Sequence, residues 1–415
     1  MVSYLSHLIP IVIASFYIGK GFKKVGLPLI SGFLFTGIIA GPFFLNYLNH
    51  NMVKNIHFID DLALGFIAIS AGSELRFNDL KGRLKSIILI MVFLVAFTMI
   101  IGTLGFYYLS DWIPFTAGFS STKIFAISLL VGVILVARSP SAAIAIINEL
   151  KAKGPFTQTV LGVTVLMDVV VITLFAINLS IADALINDKS LNLSFLGTLV
   201  VEILASIILG AVLAIIIKVV LSIKLNDYIK GIVTLTLGYL VFVLADIIPH
   251  WSKNIPLVYF EIEPLLLCMV AGLLITNFGD PERRFHPILS KINLYVYLAF
   301  FTLIGASLEF DILLKLWPIA LILFCVRLIG IYLGSYFGGY LAKDPKRENK
   351  LRWMGFITQA GVGLGLAKEV SDHFPTWGPN FATLIIAVIV INEMIGPIFF
   401  KWVIHLVDEV GTQQN

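Results

Sequence analysis

The sequence predicts an all-α polytopic membrane protein with about 13 transmembrane helices, built on an inverted repeat with two broken, crossing helices. Three observations lead to this fold class. The chain of 415 residues is 59% hydrophobic and only 13% charged, with a mean hydropathy of +0.97, a composition foreign to soluble globular proteins. Apolar stretches of spanning length alternate with short polar loops along the whole chain. A weak internal duplication relates the two halves of the sequence.

Thirteen apolar stretches are long enough to cross a bilayer, and each is interpreted as one span. The first has no basic leader and no small-residue cleavage site, so we take it as a retained span rather than a signal peptide. The stretches cover residues 4–20, 27–45, 58–75, 86–109, 123–148, 156–180, 195–222, 229–248, 262–278, 290–308, 313–341, 352–371 and 380–404.

The distribution of basic residues supports this count. Loops that follow odd-numbered spans, together with the C-terminal end, hold 21 Lys and Arg residues, whereas the other loops hold 5. A missed or spurious span would scramble this alternation. The positive-inside rule therefore predicts a multi-pass protein of the cell membrane, if prokaryotic, with the N-terminus outside and the C-terminus in the cytoplasm.

Composition and motifs disfavour several classes of function. The net charge of +4 comes without a basic run, so we expect no nucleic-acid partner, whereas contact with membrane lipid suits it. Cys268 and Cys325 lie in apolar stretches and the histidines lack ligand spacing, so no disulfide framework, metal or cofactor is expected. The sequence has no recognisable phosphate-binding loop and no nucleophilic residue with a general base beside it. We therefore do not expect the protein to be an enzyme.

The internal duplication consists of three matched pairs in the same order at similar offsets. Residues 72–77 (GSELRF) resemble 305–310 (GASLEF), residues 146–150 (IINEL) resemble 366–370 (LAKEV), and Asp168 corresponds to 392–393 (NE). The basic-residue count gives spans 3 and 10 opposite orientations. The pairs therefore predict an inverted repeat, an architecture typical of alternating-access transporters.

Spans 5 and 12 correspond in this repeat, and each contains helix-breaking residues near its middle. Pro140 lacks a backbone N–H and clashes with the preceding turn, while Gly361 and Gly363 lower the helix propensity of span 12. A proline kink and a glycine packing face would explain each feature alone. Their matched positions instead predict two broken helices that cross and offer free carbonyls, hydroxyls and half-helix dipoles.

Charged residues inside the predicted spans mark the candidate site, because each costs at least ~2.5 kcal/mol at the bilayer centre on insertion scales. Asp168 in span 6 can bind a desolvated cation or a proton but not readily both, which is the minimum chemistry of a cation/proton exchanger. A carboxylate neutralised by an arginine is the structural alternative. Arg138 is interpreted as a tether or counter-charge for Asp168, and Arg327 with Glu393 as a second, mainly structural pair.

Four segments resemble the monovalent cation/proton antiporter superfamily, in particular its second branch of sodium/proton and Kef-type exchangers. They are 27–42 (LPLISGFLFTGIIAGP), 139–155 (SPSAAIAIINELKAKGP), 359–367 (QAGVGLGLA) and 392–397 (NEMIGP). The resemblance implies a homodimer in which a mobile core moves against a dimerisation scaffold. It assigns residues 1–57 and 186–289 to the scaffold with its linker helix, and residues 58–185 and 290–415 to the two halves of the core.

By the same resemblance, Asp168 corresponds to the ion-binding aspartate of the superfamily. The resemblance also directs attention to the polar residues of the broken helices and of span 6. The candidate ion- and proton-binding residues are Asp168, Ser139, Thr164 and Gln359.

Two positions depart from the superfamily pattern. Met167 stands where relatives carry Asp or Asn before the aspartate, and Arg138 stands where they usually carry Thr or Ser. We expect secondary active exchange of Na⁺ or K⁺ for H⁺ by an elevator-type alternating-access mechanism, electroneutral because Asp168 is the one carboxylate expected to titrate. The alternatives are a proton-coupled carrier of an anion or organic solute that uses Arg138, and a non-transporting membrane protein that retains the fold.

Overall fold

A computed structural model describes residues 2–56, 58–77, 81–187, 194–252, 262–278, 282–307, 310–359 and 361–411. Within these ranges the secondary structure is helical and contains no strand. Three short 3-10 helices cover Ser110–Trp112, Pro114–Thr116 and Arg352–Phe356. The α-helices are α1 (Val2–Lys24), α2 (Leu29–Ala40), α3 (His50–Asn55), α4 (Phe58–Glu74), α5 (Leu84–Leu109), α6 (Ser121–Ile134), α7 (Pro140–Leu150), α8 (Pro155–Asn187), α9 (Ser194–Ser222), α10 (Asp227–Ser252), α11 (Pro264–Phe278), α12 (Glu282–Ser307), α13 (Phe310–Ala342), α14 (Lys346–Leu351), α15 (Gly361–His373) and α16 (Gly378–Leu406).

Each of the thirteen predicted spans contains described helix, and predicted spans 5 and 12 contain two helical pieces each. The all-α membrane fold is therefore confirmed, while the count of thirteen crossings stays a prediction. Of the described helices, seven are long and apolar enough to cross a membrane: Leu84–Trp112, Pro155–Ile186, Val200–Ser222, Asp227–Ile248, Phe285–Ser307, Leu316–Ala342 and Gly378–Leu406.

The chain forms two compact units, each assembled from two separate parts of the sequence. The first comprises Met1–Lys81 and Ser194–Leu308, and the second comprises Gly82–Leu193 and Glu309–Asn415. These boundaries differ from the predicted core and scaffold, because α4 and α12 belong to the first unit. There, α4 packs against α10, α11 and α12, and α12 also packs against α2. Which parts move and which form a scaffold stays a prediction.

In the first unit, polar side chains join helices that are distant in sequence. Ser15 Oγ and Thr302 Oγ1 lie 2.6 Å apart, which connects α1 with α12. Near the end of α11, Asn277 Nδ2 donates to Leu75 O at 2.8 Å, and Asn277 Oδ1 accepts from Phe77 N at 2.7 Å. These bonds satisfy backbone groups just beyond the end of α4, where no helical partner is available.

The second unit contains two copies of a three-helix pattern in which the middle helix is broken. The first copy is α5, the pair α6 and α7, and α8. The second is α13, the pair formed by the 3-10 helix 352–356 and α15, and α16. This arrangement accounts for two of the three sequence pairs, 146–150 with 366–370 and Asp168 with 392–393, whereas residues 72–77 belong to the first unit.

The first helices of the two copies run antiparallel in close contact. Gly330 of α13 lies against Thr98 of α5, and Gly338, two turns later, lies against Ile90, two turns earlier. A Cβ atom at Gly338 would lie 2.5 Å from the Cα atom of Ile90, so only glycine permits this approach. The opposite directions are those an inverted repeat requires, and the predicted inverted repeat is confirmed.

Candidate functional site

The first broken helix is interrupted between α6, which ends at Ile134, and α7, which begins at Pro140. Pro140 occupies the first position of α7, where its missing N–H costs no helical hydrogen bond. Ser139 caps this half-helix, because its Oγ accepts a hydrogen bond from Ala142 N at 3.3 Å. Pro140 therefore marks the break as predicted, by starting the second half-helix rather than by kinking one continuous helix.

The second broken helix is interrupted after the 3-10 helix 352–356, and α15 begins at Gly361. Gly361 thus lies at the edge of the break. Gly363, predicted as a breaking residue, is instead part of α15. A Cβ atom there would lie 3.1 Å from Gln359 Nε2 and 3.3 Å from Ile389 Cδ1, so this glycine provides room for packing.

The two breaks meet, as the sequence predicted. Ser139 N donates to Thr358 O at 3.1 Å, which joins the two non-helical segments directly. Gln359 Nε2 donates to Ile134 O at 2.8 Å, at the end of α6. Because the last carbonyls of a helix have no intrahelical donor, each broken segment supplies hydrogen bonds that the other one needs.

Arg327 of α13 occupies the centre of this crossing and is 0% exposed. Its Nε donates to Leu135 O at 2.9 Å and its Nη2 to Ala137 O at 3.0 Å, both in the first break. Its Nη1 donates to Ile357 O at 2.7 Å, in the second break. The guanidinium therefore supplies a positive charge at the carbonyl ends of two half-helices, where the helix dipole is negative.

Arg138 lies beside it, 1% exposed, and shares two of these acceptors. Its Nη1 is 3.0 Å from both Leu135 O and Ala137 O, and its Nη2 donates to Thr98 Oγ1 at 3.4 Å. Within the described ranges, none of its hydrogen bonds goes to a carboxylate. The structure thus places Arg138 against backbone carbonyls, and its role as a tether or counter-charge for Asp168 stays a prediction.

The expected pair of Arg327 and Glu393 is not formed. Arg327 Nη1 instead donates to Asn392 Oδ1 at 2.5 Å, and Asn392 Nδ2 donates to Gln359 Oε1 at 3.2 Å. Consecutive helical residues point about 100° apart, so Asn392 and Glu393 face different directions. Glu393 is 1% exposed, and among the described residues neither oxygen of its carboxyl group has a hydrogen-bond partner.

Asp168 lies on α8, which packs against α6, α7, the 3-10 helix 352–356 and α15. The helix that carries the aspartate therefore contacts pieces of both broken helices. Residue Asp168 is partly exposed, in contrast to the buried arginines, although its Oδ1 atom is buried. Thr164 lies one helical turn earlier and hence on the same face. Its hydroxyl is buried and has no hydrogen-bond partner in the described part of the chain.

The candidate residues fall into two groups. Ser139, Gln359, Arg138 and Arg327 are joined at the crossing, while Asp168 and Thr164 share a face of the neighbouring helix α8. The sequence interpretation gave no bonding role to Asn392 or Thr98. The NE pair of segment 392–397 could have suggested Asn392, whereas Thr98 carries no signal that distinguishes it from other threonines in spans.

Three comparisons with known proteins agree with this architecture. Residues 11–406 match the family model described as sodium/hydrogen exchanger, transmembrane. Probable Na⁺/H⁺ antiporter 3 of Methanocaldococcus jannaschii is 22% identical over 408 residues, covering 97% of this chain and 97% of that protein. The Na⁺/H⁺-K⁺ antiporter GerN of Bacillus cereus is 23% identical over 401 residues, covering 91% and 90%.

The fold is also that of a solved antiporter. The structure of the sodium proton antiporter MjNhaP1 from Methanocaldococcus jannaschii at pH 8 superposes with a TM-score of 0.71 at 16% identity, covering 99% of both chains. The family model spans nearly the whole chain, and the solved structure matches it over the same length. The protein therefore belongs to the sodium/hydrogen exchanger family of multi-pass membrane transporters.

Proposed function

We propose that this protein exchanges Na⁺ or K⁺ for H⁺, with one monovalent cation and one proton competing for Asp168. The observation that carries the proposal is the position of this partly exposed aspartate on α8, the helix that packs against both broken helices. A carboxylate in such a place binds a desolvated cation when ionised and releases it when protonated. The relatives named as Na⁺/H⁺ and Na⁺/H⁺-K⁺ antiporters support both candidate ions.

The oxygen atoms available to the cation follow from the hydrogen bonds at the crossing. The Leu135 and Ala137 carbonyls of the first break already accept hydrogen bonds from Arg138 and Arg327, so these two oxygens are not free ligands. The unpartnered hydroxyl of Thr164 lies one turn from Asp168 and supplies an oxygen. We therefore propose that Asp168 and Thr164 bind the ion, with Ser139 and Gln359 shaping the adjoining break.

We propose electroneutral exchange, because Asp168 is the carboxylate that both substrates use and its neighbour Met167 cannot titrate. The two guanidinium groups keep their charge throughout the cycle, so they balance buried dipoles without adding to the transported charge. Alternating access by an elevator-type movement of the second unit in a homodimer is part of the proposal. Its support is that all the site residues belong to one compact unit.

The alternative of anion or organic-solute transport through Arg138 receives no support from the geometry. Both terminal nitrogens of Arg138 donate to protein oxygens, and its side chain is buried. A substrate anion would need to displace these bonds.

The test is the purified protein in liposomes that contain a pH-sensitive dye. We expect proton movement on addition of Na⁺ or K⁺, and none on addition of a panel of anions. Li⁺ serves as a further cation in the same assay. Proton movement that depends on an anion and not on any cation would overturn the proposal.

A further inference from the structure

The chain returns after α16 to the turn between α7 and α8, at the end of the second unit predicted to be cytoplasmic. We name residues 407–411 the C-terminal strap. Two backbone hydrogen bonds hold it along that turn: Gly411 N donates to Leu150 O at 3.1 Å, and Lys153 N donates to Glu409 O at 3.0 Å. The strap therefore lies where the helix that carries Asp168 begins.

The side chain of Glu409 caps α8. Its Oε1 accepts from Phe156 N at 2.8 Å, and its Oε2 accepts from Thr157 N at 2.7 Å. These are two of the first N–H groups of α8, which have no partner inside the helix. A negative charge is favoured there by the helix dipole. Both oxygens of one carboxylate thus bind a helix start about 250 residues away in sequence.

Gly154 makes room for this carboxylate. A Cβ atom at position 154 would collide with the Cδ and Oε1 atoms of Glu409. An alanine there would displace the Glu409 side chain without changing any charge. The fit is therefore specific to glycine in the turn and to a long acidic side chain in the strap.

A buried ion pair fixes the same end of the unit. Lys401 Nζ of α16 lies 2.9 Å from Glu149 Oε1 of α7, and both side chains are largely buried. The ion pair connects α16 with α7, and Glu409 connects the strap with α8. The C-terminal end of the second three-helix copy is therefore bonded to the turn between α7 and α8 of the first copy.

The negative charge of Glu409 also acts on a second carboxylate, that of Glu348. Burial is the main reason that the pKa of Glu348 is raised. The Glu409 and Asp344 carboxylates also raise this pKa, whereas the positive charges of Arg352 and Arg83 lower it. Glu348 Oε2 is 3.4 Å from Arg352 Nη2. The remaining charged or titratable groups on the segments around the strap are Lys151 and Lys153 of the turn, Lys346, Arg347 and Lys350 of α14, His405 of α16, and Asp408, which lies 3.5 Å from Arg347.

We propose that Glu409 is a positioning residue, a charge-dependent latch that fixes the first turn of α8 and thereby sets the rate at which Asp168 cycles. The inference rests on the proposed exchange function for its consequence, but the latch itself can be measured without transport. No chemistry occurs at Glu409, which acts only through the helix that it caps.

The direction of the pH response follows from Glu348. Its raised pKa means that it takes up a proton before an ordinary carboxylate as the pH falls. Proton uptake removes one of two like charges near the turn, so the bond from Glu409 to α8 strengthens.

Amide hydrogen exchange of the full chain in detergent, read by mass spectrometry, tests the latch. After correction for intrinsic exchange rates, we expect Glu409→Gln to lower the protection of the Phe156 and Thr157 amides about two- to thirty-fold, the range of measured capping effects. Gly154→Ala should lower it similarly. Gly82→Ala is the matched control, because a Cβ atom at Gly82 meets nothing within 4 Å.

The pH series separates charge from mere shape. Protection in the parent should rise as Glu348 takes up its proton, whereas Glu348→Gln should start high and stay flat over the same range. Glu409→Gln should be low and flat. Parental protection in Glu409→Gln, or an unchanged pH response in Glu348→Gln, overturns the latch.

Transport measured on the same preparations tests the consequence. We expect Glu409→Gln and Gly154→Ala to lower turnover per folded molecule while the apparent KM for the cation is unchanged. Parental turnover despite lost protection would contradict a positioning role. If the unmodified protein shows no cation-dependent proton movement, the proposed function is wrong, whereas the latch is still tested by the hydrogen-exchange result.

Discussion

Arg327 and Asn392 are hydrogen-bonded, with Nη1 2.5 Å from Oδ1, so α13 is joined to α16 where the broken helices cross. The same guanidinium donates to three backbone carbonyls from the two breaks. One fully buried side chain of α13 therefore joins α16 and both helix breaks. All three nitrogens of this guanidinium donate to protein oxygens, so the group is not available to bind a substrate.

Arg327→Ala should destabilise the protein more than it changes the chemistry of transport. Ile357 O and Asn392 Oδ1 lose their Arg327 donor, at roughly 1–3 kcal/mol for each buried acceptor left unsatisfied. Leu135 O and Ala137 O keep Arg138 as a donor. Thermal unfolding in detergent checks this, with Lys85→Ala at an exposed position as a control. Normal unfolding with lost transport would place Arg327 in the transport step itself.

Asp168→Asn should abolish cation-dependent proton movement while folding stays intact. The change preserves the volume of the side chain but removes the group that binds both substrates. Dye-loaded liposomes measure the loss, and size-exclusion chromatography with thermal unfolding measures the fold. Asp111→Asn, at an exposed position, is the control that should transport normally. A full pH response from Asp168→Asn would refute the assigned role.

Glu393→Gln should leave the unfolding temperature unchanged or raise it. From the sequence, a buried pair with Arg327 predicts a loss, but that pair is absent and neither carboxyl oxygen has a described partner. An ionised carboxylate without hydrogen bonds is costly to bury, so removing its ability to ionise costs nothing. Glu149→Gln is the contrasting variant, since breaking its buried pair with Lys401 should cost about 3–5 kcal/mol. A comparable loss in Glu393→Gln would contradict this interpretation.

An imposed membrane potential should not shift the steady-state ion gradient. With Asp168 as the single group shared by one cation and one proton, the net charge moved in a cycle is zero. The measurement uses liposomes clamped with potassium and valinomycin, with Na⁺ or Li⁺ as the exchanged ion. A shift of the balance point would mean that a second group titrates, and Glu393 is the first to examine. Met167→Asp should gain voltage sensitivity, because it adds a second carboxylate beside Asp168.

Glu348→Gln should be more stable than the parent at neutral pH, with a difference that shrinks on acidification. Burial raises the pKa of Glu348 in the folded protein. A group with a raised acid pKa costs stability when it is ionised, above that pKa, and the cost disappears as the pH falls through it. Unfolding temperatures of both proteins over a pH series measure the difference. A difference that grows on acidification would reverse the assigned direction.

Several parts of the site could be predicted from the sequence, each for a local physical reason. Pro140 lacks an N–H, and the first position of a helix is where this absence costs least, so the residue favours a helix start there. The membrane spans and their predicted orientation follow from the apolar stretches and the basic loops, because each segment partitions into the bilayer according to its own hydrophobicity and flanking charge. Gly363 lies inside α15 although the sequence predicts a break there, because glycine lowers helix propensity only modestly.

The sequence by itself determined that this chain is an all-α membrane protein with an inverted repeat, two matched breaks and an aspartate on the helix beside them. Period, composition and charge along the chain, and the similarity of its two halves, carry that information. Only the tertiary structure decided that Arg327 bonds to Asn392 rather than to Glu393, that Arg138 faces carbonyls, and that Glu409 caps α8. Those partners lie up to about 250 residues apart. Which residues become partners depends on which face of each helix packs against its neighbours, and the sequence of one segment does not determine that.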